Sequence, residues 1–498
     1  MTKTHRDQNR QEPSQADDNQ SAKTTRSERL IMRDREFEDL HAATLQVLEE
    51  VGLHLPDVEV LGALEKVGLR VERDRQSVKF SRRQVAEAIY QAPKEVRLYH
   101  GPSEQYVALS GQTRFMPSGT GVAVLDPGSG KRRDSRAADV RDLVKIQDGL
   151  KHLDVARPLV TALEFGADSD LVECYLCLRH TNKPFMHRTM SEKNAQVLIR
   201  MGVRVTGSAA ELRRRPPFAV VYCPKSPLTL TPEAARCMLA FAAAGVPVLV
   251  LSMAMGGATS PVTLQGQALL INAEVLAGIT IIQTLFPGAP VLYGSVASVL
   301  DMRTAVLALG APERGLLNGL CAELARRYGL PSVMGGLSTD AKEPDEQAGF
   351  EKALTLWPLM GKASLVFGLG VMDSANTYSY EQLVLDDEMI GAVKRVHQGL
   401  DQSQLAEEIS LIKQVGWSGE YLTSDHTLKH FRRHWLPELM TRAAYEKWAE
   451  AGKSLTARTR ERIAKILQER PPSVLDQAMD RDLRNLLLEH GITLPDDV

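Results

Sequence analysis

The stretch Pro331–Glu351, PSVMGGLSTDAKEPDEQAGFE, opens on a short apolar run, Ser332-Val333-Met334, that stops at Gly335-Gly336. A polar loop carrying Asp340, Lys342, Asp345 and Glu346 follows, and a helical pattern runs from near Pro344 towards Leu359. Strand, glycine break, polar loop and helix make one βα unit of a parallel sheet or barrel, whose post-strand loop is where chemistry is placed. Adjacent glycines at a strand end let a backbone approach a ligand or take positive φ. The same loop also reads as a solvated connection whose Thr339 or Asp340 caps the helix.

Seven more β-like runs share this texture: Thr113–Pro117, Val155–Thr161, Pro184–His187, Phe218–Tyr222, Pro247–Ser252, Ala289–Gly294 and Ser364–Gly368. Helical patterns centre on Asp139–Leu150, Asp168–His180, Glu192–Val205, Thr231–Ala244, Thr263–Leu285, Pro312–Tyr328, Asp345–Met360 and Tyr380–Gly399. Eight near-equal repeats predict a TIM (β/α)8 barrel over residues 113–400, with a doubly wound open sheet as the alternative. A hairpin, Val122–Leu125 with its turn at Gly128–Gly130, interrupts the first repeat.

Residues 29–112 read as an α+β section, with helices at Asp34–Val51 and Asp57–Val67, strands at Leu69–Glu72, Ser77–Phe80 and Val96–Tyr99, and a helix capped by Ser81. Residues 401–498 read as a helical extension that covers a barrel face, mediates a homo-oligomer or seats a partner. Residues 1–28 are polar, without the apolar core of a secretory signal, and are expected to be disordered.

The 498-residue chain is 43% hydrophobic, enough for a large core, and its formal charge of −2 leaves no nucleic-acid footprint or basic membrane patch. No run of about 18 apolar residues predicts a membrane span. Five cysteines form no dense even framework, which fits a reducing cytoplasm. Cys174 and Cys177 lie within one helical pattern without a second pair at zinc spacing, so no metal site is expected. HExxH, GxSxG, GxGxxG after a first strand and GxxxxGK[ST] are all absent.

The strand ends of a barrel here are rich in Gly, Ser and Thr, with scattered aromatics and charges. A quaternary ammonium has no N–H to donate and is held by ring faces, and Tyr222, Tyr293, Phe367, Tyr378 and Tyr380 are the candidates for such a cage. His187, Arg188 or Arg303 would pair with a substrate carboxylate. Each ring also reads as packing, and each arginine as a structural ion-pair partner.

Several strings together resemble one family, the trimethylamine:corrinoid methyltransferases and their non-pyrrolysine, glycine betaine methyltransferase-like relatives. They include Met116-Pro-Ser-Gly-Thr-Gly-Val, Gly257-Ala-Thr-Ser-Pro-Val-Thr-Leu, Asn272-Ala-Glu-Val-Leu-Ala-Gly, Asp301-Met-Arg-Thr, Asp345-Glu-Gln-Ala-Gly-Phe-Glu and Glu381-Gln-Leu-Val-Leu-Asp-Asp-Glu. The resemblance covers nearly the whole chain after about residue 30 and implies a barrel that moves a methyl group from an amine to the cobalt of a corrinoid. That corrinoid is carried by a separate protein, so no permanently bound cofactor is expected. Gly119, Gly256, Gly257, Gly335 and Gly336 would then face the corrinoid. Asp340, Lys342 and Asp345 are the candidate catalytic residues, shaping the loop that faces corrin or substrate. Glu274 and Glu381 fall in helical patterns and also read as structural.

In the trimethylamine-specific members pyrrolysine stands near the end of the seventh strand, whereas this chain has ordinary Val333-Met334-Gly335-Gly336-Leu337 there. A quaternary amine already carries positive charge and leaves as a neutral amine, so its methyl transfer needs alignment and a dry site rather than a general acid. The expected substrate is therefore glycine betaine or a related betaine. A tertiary amine or other onium substrate, a non-catalytic binding barrel and an unrelated barrel lyase are the alternatives.

Overall fold

The eight apolar runs become eight barrel strands: β1 (Arg114–Pro117), β2 (residues 155–157), β3 (Phe185–His187), β4 (Phe218–Tyr222), β5 (Val248–Ser252), β6 (Val291–Ser295), β7 (Ser332–Gly335) and β8 (Leu365–Leu369). The computed structural model describes residues 32–101, 103–400, 405–471 and 473–495, so the segment 1–28 expected to be disordered lies outside the described residues. Seven strands form one parallel sheet in the order β1-β8-β7-β6-β5-β4-β3. The irregular β2 closes the ring. The Phe115 carbonyl accepts from the Asp154 and Val155 amides at 2.8 and 3.2 Å, the Ala156 amide donates to Pro184 at 2.8 Å, and the Met186 amide donates to Ala156 at 3.0 Å. Closure removes the sheet edges, and the fold is a (β/α)8 barrel.

Strand alternation splits the core in two. Met116, Val155, Met186, Ala219, Val221, Leu249, Leu251, Leu292, Val333, Leu365 and Phe367 form an inner cluster. Their neighbours Phe115, Ala156, Phe185, Val220, Tyr222, Val250, Tyr293, Met334 and Val366 point outward into the helical layer. Val96–Tyr99 pairs with Tyr106–Leu109 as a hairpin, and its Val96, Leu98, Val107 and Leu109 join the inner cluster. Tyr99 bonds the Pro216 carbonyl, so the hairpin plugs the end where the strands begin.

One helix follows each strand: α1 (Ala137–Gly149), α2 (Ser169–His180), α3 (Glu192–Thr206), α4 (Pro232–Ala244), α5 (Leu264–Leu285), α6 (Pro312–Arg327), α7 (Glu346–Leu356) and α8 (Tyr380–His397). Hydroxyl or carboxylate N-caps start α3, α4, α5, α7 and α8, through Ser191, Thr231, Thr263, Asp345 and Ser379. The long apolar α5 has the length and composition to cross a membrane, but 83% of its most apolar window is buried in the protein. The N-terminal section packs on it. Asn272 of α5 donates to Thr44 and to the Tyr328 hydroxyl, each at 2.9 Å, and accepts from Tyr293 at 3.0 Å.

Two small sheets build up the rim where the strands end. Met255–Gly256 pairs with Ser298–Asp301, which pairs with Val306–Ala308. Val371–Met372, Thr377–Ser379, Ala123–Leu125 and Arg132–Asp134 form the second. The C-terminal extension lies on the outer wall: helix Leu455–Glu469 packs on α1 and α8, and Gln477–Glu489 on α2 and α3.

The ends of β7 and β8 are tied by an ion pair with no exposure on either side chain. Lys352 Nζ lies 2.9 Å from Asp386 Oδ2 and donates to the carbonyls of Leu337 at 2.8 Å and Gly368 at 3.2 Å. Asp386 also accepts from the Gly370 amide at 2.8 Å and from Gln382 at 2.7 Å. At Gly368, with φ +148°, a Cβ would lie 1.8 Å from the Gly336 carbonyl oxygen. Only glycine fits the bulge that breaks the register between Phe367 and Leu369. Lys352→Met strands a buried carboxylate, and urea unfolding is expected to show a loss of about 3–5 kcal/mol. Lys352→Met combined with Asp386→Leu is expected to cost less than the sum of the two single changes.

Candidate functional site

The strand ends converge on a cavity of about 460 Å3 to which all eight strands or their loops contribute. Ser118, Gly119 and Thr120 follow β1, Arg157 ends β2, and Arg188 and Met190 follow β3. Cys223, Met253, Val296 and Ser338 follow β4 to β7 in turn, and Phe367 comes from β8. Val221 and Leu251 supply apolar wall, Leu307 and Leu309 come from the chain after β6, and Arg314 reaches in from α6.

Three guanidiniums and no Asp, Glu, His or Lys line this cavity. Arg157 is 4% exposed and its Nε has no partner. A Cβ at Gly119 would lie 2.6 Å from that Nε, so the glycine makes room for the arginine. Arg188 donates from Nε to Thr120 Oγ1 at 2.7 Å. Arg314, 2% exposed, donates from Nη1 to the Val296 carbonyl at 2.6 Å, and its Nε also lacks a partner. None of the three forms an ion pair with a described carboxylate. Burial lowers Arg157 and Arg314 to about 10, which still leaves both cationic at neutral pH. Burial pushes the Cys223 thiol up to about 11, so it is neutral.

Of the residues chosen from sequence, Arg188, Phe367 and Gly119 line the cavity, and the expected ring cage is not assembled. Strand alternation turns Tyr222 outward against Phe241 of α4, with ring centroids 6.3 Å apart. Tyr293 faces out to Asn272 for the same reason. Tyr378 stands behind the wall, its hydroxyl 3.4 Å from Ser118 Oγ, and Tyr380 donates to Asp139 at 2.8 Å. His187 also points outward and bonds the Asp170 carbonyl from Nε2 at 2.8 Å. Burial pushes its imidazole down to about 3, so it is neutral and unsuited to pair with a carboxylate. The side chain of Arg303 is 88% exposed and paired with Asp301 at 2.8 Å.

The charged loop after β7 is occupied by structural bonds. Asp340 accepts from the Leu309 and Gly310 amides at 2.8 and 3.0 Å and from Ser374 Oγ at 2.7 Å, joining three rim loops. Lys342 pairs with Asp373 at 2.7 Å, and Asp345 caps α7. None of the three lines the cavity. Gly335 and Gly336 are packing positions. A Cβ on the first would lie 2.4 Å from Arg314 Nη2, and one on the second 2.6 Å from Leu359 Cδ1. Gly256 sits against Gln267, and Gly257 takes φ +90° near Met302. Glu274 accepts from Ser226, Ser252 and the Leu228 amide, tying the loop after β4 to the end of β5, and Glu381 pairs with Arg460.

Sequence reasoning missed Arg157 and Arg314. Arg157 shares the parity of inward-facing Val155, a signal present in the sequence. Arg314 stands on a helix, and only the packing of α6 against the glycine at the end of β7 brings it inside.

The family model described as trimethylamine methyltransferase (MTTB) matches residues 2–490. The trimethylamine methyltransferase MttB of Desulfitobacterium hafniense is 33% identical over 92% of this chain and 93% of that protein. That of Methanosarcina thermophila is 32% identical over 91% and 96%. A protein of Desulfitobacterium hafniense named glycine betaine methyltransferase is 29% identical over 93% and 97%. The chain belongs to the trimethylamine methyltransferase family.

The buried histidine predicts an acid-sensitive fold. Unfolded, His187 takes up a proton near pH 6.5, and folded only near 3. Between those values the unfolded chain binds more protons, so stability falls as pH drops through this window. His187→Gln is expected to reduce the slope of unfolding free energy against pH between 6.5 and 4, by up to about 1.4 kcal/mol per pH unit.

Proposed function

We propose that this chain transfers a methyl group from a quaternary amine bearing a carboxylate, a betaine such as glycine betaine, to the Co(I) of a corrinoid carried on a separate protein. The charge of the cavity carries this reading: three guanidiniums meet there without a carboxylate among the lining residues. A bare ammonium about 4 Å from one guanidinium is repelled by about 4 kcal/mol at an effective dielectric near 20. Trimethylammonium brings no compensation. A betaine brings its own carboxylate, and Arg157 and Arg188, which both line the cavity, receive it as charge-assisted hydrogen-bond donors in this reading.

The lining also fits the chemistry of the leaving group. When the methyl–nitrogen bond breaks, the electron pair stays on nitrogen and a neutral tertiary amine departs, so no proton is needed. The walls contain no general acid: arginine holds its proton, and Cys223 is a weak acid. Phe367 and the aliphatic Val221, Leu251, Val296, Leu307 and Leu309 give the cation an apolar surround that excludes water.

The rim suits a protein partner that delivers the methyl acceptor. Val122, Met190, Met253, Val262, Met302 and Val306 stand 48–71% exposed on loops that follow β1, β3, β5 and β6. Together these rim side chains offer a partner protein an apolar surface to cover.

Mixing the protein with a Co(I) corrinoid protein and a panel of betaines is expected to remove the Co(I) absorbance for at least one betaine. No change across the panel overturns the proposal, and turnover of trimethylamine in preference to every betaine overturns the carboxylate requirement. Arg157→Met and Arg188→Met are each expected to lower kcat/KM for the betaine by about 10- to 100-fold, the worth of one charge-assisted hydrogen bond.

A further inference from the structure

One carboxylate satisfies only half of this cavity. Arg157 and Arg188 belong to β2 and to the end of β3. Arg314 enters between the ends of β6 and β7, where Nη1 bonds the Val296 carbonyl and Nη2 lies over Gly335. In a ring of eight strands β6 stands opposite β2, so the two cationic stations face each other across the cavity. The apolar Val221, Leu251 and Phe367 also contribute to its walls. The Arg314 guanidinium feels the opposite charge of Asp340 only from beyond ion-pair contact. The Asp340 oxygens accept from the Leu309 and Gly310 amides and from Ser374 Oγ, so no carboxylate oxygen sits on the guanidinium itself. A buried cation whose counter-ion is out of contact is costly, and the cost falls when a ligand supplies a closer anion. With a quaternary ammonium also inside, a single carboxylate leaves the cavity strongly positive.

We infer that the natural substrate is a betaine with a second anionic group, which Arg314 receives while Arg157 and Arg188 hold the first. This rests on the betaine reading above and narrows it from a monocarboxylate to a dianionic quaternary amine. Arg314 thereby acts as a specificity-determining residue, and Gly335 is the residue whose missing side chain admits it.

Titration calorimetry with N,N,N-trimethylglycine, N,N,N-trimethylaspartate and N,N,N-trimethylglutamate tests this without turnover. At least one dicarboxylate is expected to bind about tenfold or more tighter than trimethylglycine. Arg314→Gln is expected to bring that ratio close to one, Arg314→Lys to retain part of it, and Arg157→Met to weaken both kinds of ligand. Gly335→Ala keeps the charge but displaces Nη2, and it is expected to reduce the ratio as well. Melting curves without ligand identify any variant that fails to fold, in which case Gly335→Ala and Arg314→Lys carry the test. Equal affinity for mono- and dicarboxylates, or a ratio that survives both Arg314→Gln and Gly335→Ala, overturns the inference. Methyl transfer from trimethylglycine with no preference for a dicarboxylate overturns it alone. Tight, Arg314-dependent dicarboxylate binding with no methyl transfer from any betaine supports it while overturning the proposed reaction.

Discussion

The dry ion pair between Lys352 and Asp386 holds the part of the barrel on which one wall of the cavity depends. Two glycine-rich strand ends, β7 and β8, lie side by side with carbonyls that the strand ladder leaves turned away. Lys352 collects those of Leu337 and Gly368, and Asp386 takes the Gly370 amide. Such a pair gains little over well-packed apolar groups, because desolvating two charges offsets their attraction. Its value is geometric: it fixes a bulge that no side chain could occupy, directly after the cavity-lining Phe367.

Alternation along the strands then sorts the residues. A strand residue faces either the cavity or the helices, with no intermediate choice. Phe367 and Arg157 fall on the inner side, whereas Tyr222, Tyr293 and His187 fall on the outer, where their polar ends meet helix layers. Tyr293 uses its hydroxyl in the Asn272 network that seats the N-terminal section on α5. Tyr222 and Tyr293 thus belong to the shell around the barrel, whereas Arg157, Arg188 and Arg314 line the cavity within it.

Much of the architecture was legible in the chain. Short apolar runs, each followed by a helical period, mark all eight repeats, because a buried parallel strand must be apolar on both faces and a covering helix on one. Even β2, whose hydrogen bonding is irregular, is visible as the apolar run at Val155. The site was less legible. Asp340, Lys342 and Asp345 have the residue types of a catalytic loop, yet their charges are spent on joining rim loops and capping a helix. Residue type alone does not distinguish a carboxylate that ties amides from one that meets a substrate.

The chain by itself therefore determined the barrel, the position of its mouth and the family, since these rest on periodicity and on motifs read in order. Tertiary structure alone decided which side chains share the cavity. Gly335-Gly336 reads in the sequence as a place for a ligand to approach backbone. In the folded protein the first glycine makes room for Arg314, a residue from the preceding helix, and the second for Leu359. No local pattern could place a guanidinium from α6 above the end of β7, because that approach depends on how a helix packs across two strands.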